Sequence, residues 1–135
     1  MASGVINTPF MKFVDVPITN ISKKACSGTI NGTPTLQVCK EYGLLRIAGR
    51  VYISNFSRTG SNPGISFQTD LSPSEYRKYE VGVRGEGEVV YAEAVFFSLF
   101  TTGLCELTTS ETFSNANHSN RLVLIIPDTI IPIPV

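Results

Sequence analysis

Between Leu44 and Ser54 the side chains alternate in character along the chain. Leu45, Ile47, Val51 and Ile53 fall on one side, with Gly49 among them, and Arg46, Arg50 and Tyr52 fall on the other. A period of two belongs to an extended strand, whose successive side chains point to opposite faces. One apolar and one polar face mark a half-buried antiparallel strand. The same rhythm returns where Ile65 and Phe67 alternate with Ser66 and Gln68, and where Tyr79, Val81 and Val83 alternate with Glu80, Gly82 and Arg84. An amphipathic helix would repeat its apolar positions about every 3.6 residues, and no stretch of this chain does so.

Turn residues divide the strands. Ser27–Ile30 leads into Asn31-Gly32, a strong hairpin signal, so Thr35–Tyr42 is expected to return as its partner, with Gly43 breaking the chain. Phe56–Gly64 reads as an exposed loop, rich in Ser, Gly and Asn. Ser72 can cap and Pro73 can open one helical turn at most. Gly85-Glu86-Gly87, Thr102-Gly103 and Pro127-Asp128 read as turns, and Thr109–Arg121 as a second exposed loop. Pro132 and Pro134 cannot donate ladder hydrogen bonds, so the C-terminal stretch is expected at an edge or as an extended arm. Roughly eight or nine short strands at about 8–12-residue spacing predict an all-β fold, an antiparallel, jelly-roll-like β-sandwich.

The length of 135 residues fits one domain. Residues 1–24 are irregular and punctuated by Pro9 and Pro17; they are expected to form an arm or the remnant of a shaft, with the sandwich over 25–135. Eleven basic residues balance eleven acidic ones, which argues against a nucleic-acid module and its basic excess. Val89–Phe100 is apolar at 10 of 12 positions, too short for a membrane helix of about 20 residues, so no membrane insertion is expected. This segment and Leu122–Ile126 are apolar on both faces. A half-solvated sheet does not require that, and a low charged fraction of 16% suits an interface core. A further copy of the chain is therefore expected to cover part of the sheet.

Catalytic equipment is sparse. His118, the sole histidine, lies in an Asn-rich loop without a nucleophile motif such as G-x-S-x-G. Glu86, Glu88 and Glu93 are the closest acidic cluster, but Glu86 and Glu88 flank Gly87 in a turn, where solvated charges are expected. Cys26, Cys39 and Cys105 lack metal-ligand spacing, and neither metal nor cofactor is expected. Cys26 and Cys39 can meet across the predicted hairpin; an odd count, with no secretory leader read in Met1–Phe13, favours three reduced, largely buried thiols. The triplets beginning at Asn20, Asn31, Asn55 and Asn117 match glycosylation acceptors, and no glycans are assigned to them. Binding groups are then expected on loops: Arg58, Ser61 and Asn62 in the first, Asn115, Asn117, His118 and Asn120 in the second. Their amides and guanidinium suit a hydroxyl-rich ligand. Tyr76 and Tyr79 can supply the aromatic face that the absent tryptophan does not.

From about Cys26 onward the chain resembles the C-terminal domains of bacteriophage tail fibres and baseplate receptor-binding proteins. The resemblance rests on Ser27-Gly28-Thr29-Ile30 followed by Tyr42-Gly43-Leu44-Leu45-Arg46-Ile47-Ala48-Gly49. It continues through the strand Ile65–Phe67 running to Leu71-Ser72-Pro73, and through Ala92–Leu99 with Thr102-Gly103-Leu104-Cys105-Glu106-Leu107. Leu122–Ile126 and Ile130-Ile131 resemble the closing strands. After Ser72-Pro73 the chain reads Ser74-Glu75-Tyr76-Arg77, where the family pattern has Arg-Pro. The resemblance implies a homotrimeric fibre head on a virion, made in the host cytoplasm and attaching to a cell-surface glycan or protein. Two alternatives stand beside it, a structural virion or baseplate domain with no receptor of its own and a small polysaccharide hydrolase.

Overall fold

A computed structural model describes residues 11–86, 89–109 and 121–134. Its strands are β1 (Val14–Asp15), β2 (Thr19–Lys24), β3 (Cys26–Asn31), β4 (Thr35–Cys39), β5 (Leu44–Arg58), β6 (Gly64–Gln68), β7 (Arg77–Glu86), β8 (Val89–Leu99), β9 (Leu104–Thr109) and β10 (Leu122–Pro132). Every pairing is antiparallel. The chain is all-β, a single antiparallel sheet curled into a half-barrel, and no α-helix occurs among the described residues. The strand order is β1-β4-β5-β10-β7-β8-β9-β6-β2, with β3 also paired to β5.

The alternation in β5 has its expected result. Leu45, Ile47, Val51 and Ile53 are fully buried. With Leu122 and Leu124 on the adjacent β10, they join Phe67, Val95, Phe97, Leu99 and Leu107 in one core. At Asn55 the backbone turns left-handed, with φ 52, and the register against β3 slips by one residue between the Thr29 and Ser27 pairings. Beyond this bulge the strand presents its side chains to the opposite faces. Phe56, predicted in an exposed loop, is therefore buried, and β5 runs on to Arg58.

The predicted hairpin at Asn31-Gly32 does not form. A two-residue type I′ turn needs positive φ at both central positions; Gly32 has it and Asn31 does not. Asn31 instead ends β3 and donates its amide to Thr29 O and Ser54 Oγ. β3 and β4 lie one after the other along the same edge of β5, Cys26 opposite Arg58 and Cys39 opposite Leu44. The two cysteines thus lie near opposite ends of a strand spanning roughly 45 Å at about 3.3 Å per residue, and a disulfide between them is ruled out. All three cysteines are free.

β4 also stops earlier than predicted. Lys40–Tyr42 forms a 3-10 turn closed by Gly43 in the left-handed region, φ 62. Ser72-Pro73 makes no helical turn. Pro127-Asp128 makes a bulge rather than a turn, so β10 is continuous, with its register against β5 shifting between Ile126 and Thr129. Beyond this bulge β10 pairs with β5 alone, which frees the side on which Pro132 has no N–H to offer.

Residues 14–24 supply β1 beside β4 and β2 beside β6, and Val16 is buried in the core. β2 and β3 are separated by Ala25 alone, yet one pairs with β6 and the other with β5. The chain therefore bends at Ala25, φ 57, and joins the two flanks of the curled sheet.

Phe96 in β8 and Phe100 just beyond it are half-buried. The Lys78 ammonium sits 4.8 Å from the Phe96 ring centre, and the Tyr76 ring lies 4.8 Å from that of Phe100.

Candidate functional site

Antiparallel strands gather their connections at two ends. At one end lie the Ala25 bend, the 59–63 loop and the facing ends of β7 and β8, where Glu86 pairs with Val89. The flanks of the 110–120 segment lie at this end as well. Thr109 pairs with Val95 and donates its N–H to Pro63 O at 3.0 Å. Leu122, the neighbour of Arg121, lies opposite both Ile53 and Glu86.

The 59–63 loop crosses from β5 to β6, two strands far apart in the sheet order. The N–H groups of Thr59 and Gly60 both donate to Ala25 O, at 2.9 and 3.2 Å. The left-handed bend at Ala25 leaves this carbonyl unused by the ladder, and the loop takes it. Arg58, Thr59, Gly60 and Ser61 line a shallow concavity. Asn62 is half-buried with φ 54, a conformation that asparagine tolerates better than most residues. Arg58, at the end of β5, is thus brought together with Ser61 and Asn62 on a short loop braced by the bend and by Thr109.

Tyr76 is not part of this group. It precedes Arg77, which pairs with Leu99 at the opposite end of β7, about 30 Å away at 3.3 Å per residue. There its hydroxyl donates to Ser98 Oγ at 3.4 Å. Tyr79 is also directed elsewhere: its ring stacks on Phe97 and its hydroxyl donates to Pro132 O at 2.6 Å. Asn115, Asn117, His118 and Asn120 lie outside the described residues, as does Glu88.

Beneath the loop end a charge pair sits on the core-facing side of the sheet. Arg84 lies opposite Leu124 and donates from Nη2 to Glu93 Oε1 at 2.5 Å. Glu93, one of three acids in the sequence cluster, is thereby engaged by a cation. The other described ion pairs are exposed, Arg46 with Asp128 and Arg77 with Glu75. A hydrogen bond and the positive charge of Arg46 hold the Asp128 carboxyl below its ordinary pKa, and Arg77 does the same for Glu75. Among the described residues no three metal-binding side chains cluster. Burial pushes the Cys26 thiol up, against a weaker opposing pull from its contact with Gly64 O.

One arrangement is invisible in the sequence. The Arg121 guanidinium lies 4.6 Å from the Tyr52 ring centre, on the outward side of β5. Arg50 and Tyr52 are legible as polar-face residues, but their meeting with Arg121 depends on the β5–β10 pairing, which no local pattern encodes.

Comparison of the chain with family models, curated proteins and solved structures gives no match.

Proposed function

We propose that this chain is the receptor-binding head of a phage tail fibre or baseplate, a non-enzymatic virion component that attaches to a host cell-surface glycan or protein. The observation that carries this reading is the convergence of the 59–63 loop and both flanks of the 110–120 segment at one end of a rigid curled sheet. Binding surfaces on β scaffolds are commonly loop clusters of this kind. In the head, the curled sheet closes as a jelly-roll-like sandwich and three copies associate through outward apolar positions such as Phe96 and Phe100. Three weak sites then act together, because the first contact raises the effective concentration of the others.

Arg58, Ser61 and Asn62 contribute polar groups to the contact. The engagement of Glu93 by Arg84 speaks against the paired free carboxylates of glycoside hydrolysis. A second reading, a virion interaction domain without its own receptor, draws on the opposite end. There Val38, Leu71, Pro73, Ile133 and Pro134 line a largely apolar cleft of about 230 Å³.

Light scattering coupled to a sizing column tests the assembly, and a glycan array with the purified protein tests the receptor. The expected results are a trimer and selective glycan retention that weakens in an Arg58→Ala, Asn62→Ala double variant. A monomer at micromolar concentration that binds neither glycans nor host cells overturns the reading. Release of reducing sugar from host envelope favours the hydrolase.

A further inference from the structure

We propose that the outward face of β5 and β10 around Tyr52 is a docking site for an acidic saccharide, its carboxylate held between Arg50 and Arg121. The inference rests on the glycan-binding reading above and names both a ligand class and a site away from the 59–63 loop.

Residues directly opposite in an antiparallel pair share a face. Tyr52 is opposite Val123 on one side and Asn31 on the other, so all three point outward. Arg50 is two residues from Tyr52 on the same face, about 7 Å along the strand. Val123 is 1% exposed although it points away from the core. Gly85, opposite it in β7, is buried as well, so the accessible surface of this face lies on Tyr52, Arg50 and Arg121.

The charges on this face are treated differently along the strand. Arg46 is clamped by Asp128 through Nε and Nη2, at 2.7 and 2.5 Å. Arg50 is exposed and has no carboxylate partner among the described residues. Arg121 is stacked against the Tyr52 ring, which restrains the guanidinium while leaving its N–H edges for an anion. On the β3 side Asn31 Nδ2 donates to Ser54 Oγ at 3.2 Å, a fixed amide–hydroxyl pair beside the ring that can meet sugar hydroxyls. Two guanidinium groups and an ordered amide complement a carboxylate carried on a hydroxyl-rich ring.

A nucleic acid is the less suitable anion. It calls for a track of cations along its phosphates, whereas this face offers two, and the chain as a whole has zero net charge.

The test is calorimetric titration of the folded protein with an oligogalacturonate, with its fully methyl-esterified counterpart and with a single-stranded oligonucleotide. The oligogalacturonate is expected to bind at least tenfold more tightly than either of the others. Arg50→Gln is expected to weaken that binding at least tenfold. Tyr52→Leu keeps an apolar side chain at this position but releases Arg121, and a three- to tenfold loss is expected. Equal binding of acid and ester, preference for the oligonucleotide, absence of acid binding, or wild-type affinity in Arg50→Gln each overturns the proposal. Adsorption to host cells, measured in parallel, keeps the two readings apart: cell binding that persists in both variants removes this site and leaves the receptor-binding head intact.

Discussion

Arg84 and Glu93 form a charge pair whose partners differ sharply in their access to water: the guanidinium side chain is 5% exposed and the carboxylate side chain 33%. The cation bears most of the desolvation. Removing one partner of a buried pair costs about 3–5 kcal/mol, whereas replacing both with apolar residues is often neutral. Because this carboxylate is a third exposed, Glu93→Gln is expected to cost less, about 2–3 kcal/mol on the same scale. The double variant Arg84→Met, Glu93→Leu should recover most of that loss. Urea denaturation of both variants checks it, and equal destabilisation in the two would mean that the pair is not what stabilises this region.

Gly64 opens β6 against β9, and a Cβ there would strike the Leu107 carbonyl and press on the Thr108 backbone. Backbone atoms of a paired strand cannot swing aside as a side chain does. Gly64→Ala is expected to cost about 2–3 kcal/mol, in the range for overpacked sites. That corresponds to a Tm lower by roughly 5–12 °C for a domain of this size, measurable by calorimetry. An unchanged Tm would show that β6 and β9 can separate freely.

The three thiols should differ in reactivity. Cys105 is fully buried, and burial pushes its thiol pKa up to about 12, against a smaller pull from Thr69. Cys39 is also buried, and Cys26 is half-exposed with its pKa raised by burial. The thiolate is the reactive species. At pH 8, a disulfide reagent should therefore label Cys26 slowly, and Cys39 and Cys105 only after unfolding. Peptide mapping by mass spectrometry identifies the order, and early labelling of Cys105 would contradict its burial.

Acid should weaken the fold through Asp128. Its pKa in the folded state lies below the ordinary 3.8 because Arg46 donates to it. A depressed carboxylate contributes stability that is complete above the unfolded pKa and is lost as pH falls through the folded value. Asp128→Asn should remove part of the stability difference between pH 5 and pH 2 while leaving the slope above pH 5 unchanged. Thermal melts across that range test it. The contribution should also shrink in high salt, since both groups are exposed.

The alternation of Leu45, Ile47, Val51 and Ile53 makes the principal strand and its buried face legible in the sequence, because side-chain period is a local property. The burial of Phe56 is not legible, because the Asn55 bulge reverses the face and a bulge leaves little trace in residue type. The Asn31-Gly32 signal fails for a related reason. A local turn preference yields when both flanking segments can pair with the same long strand. Arg58, Ser61 and Asn62 are recognisable as a loop from their composition. Tyr76 shares only its chemistry with them, and the ladder carries it to the other end. Arg121 over Tyr52 depends on β10 lying beside β5.

That last pairing governs how the chain reaches its folded state. β5 finds β3 and β4 among residues close by in sequence, but its other edge waits for β10; Arg46 and Asp128 are 82 positions apart. Non-local pairing of this kind slows folding. During synthesis, at about 5–20 residues per second, β5 emerges well before its partner, leaving one edge bare for several seconds. A bare, strongly β-forming edge invites pairing with a neighbouring chain. Chains truncated before residue 122 should accordingly collect in inclusion bodies, while the intact chain should gain in yield from slower expression at lower temperature.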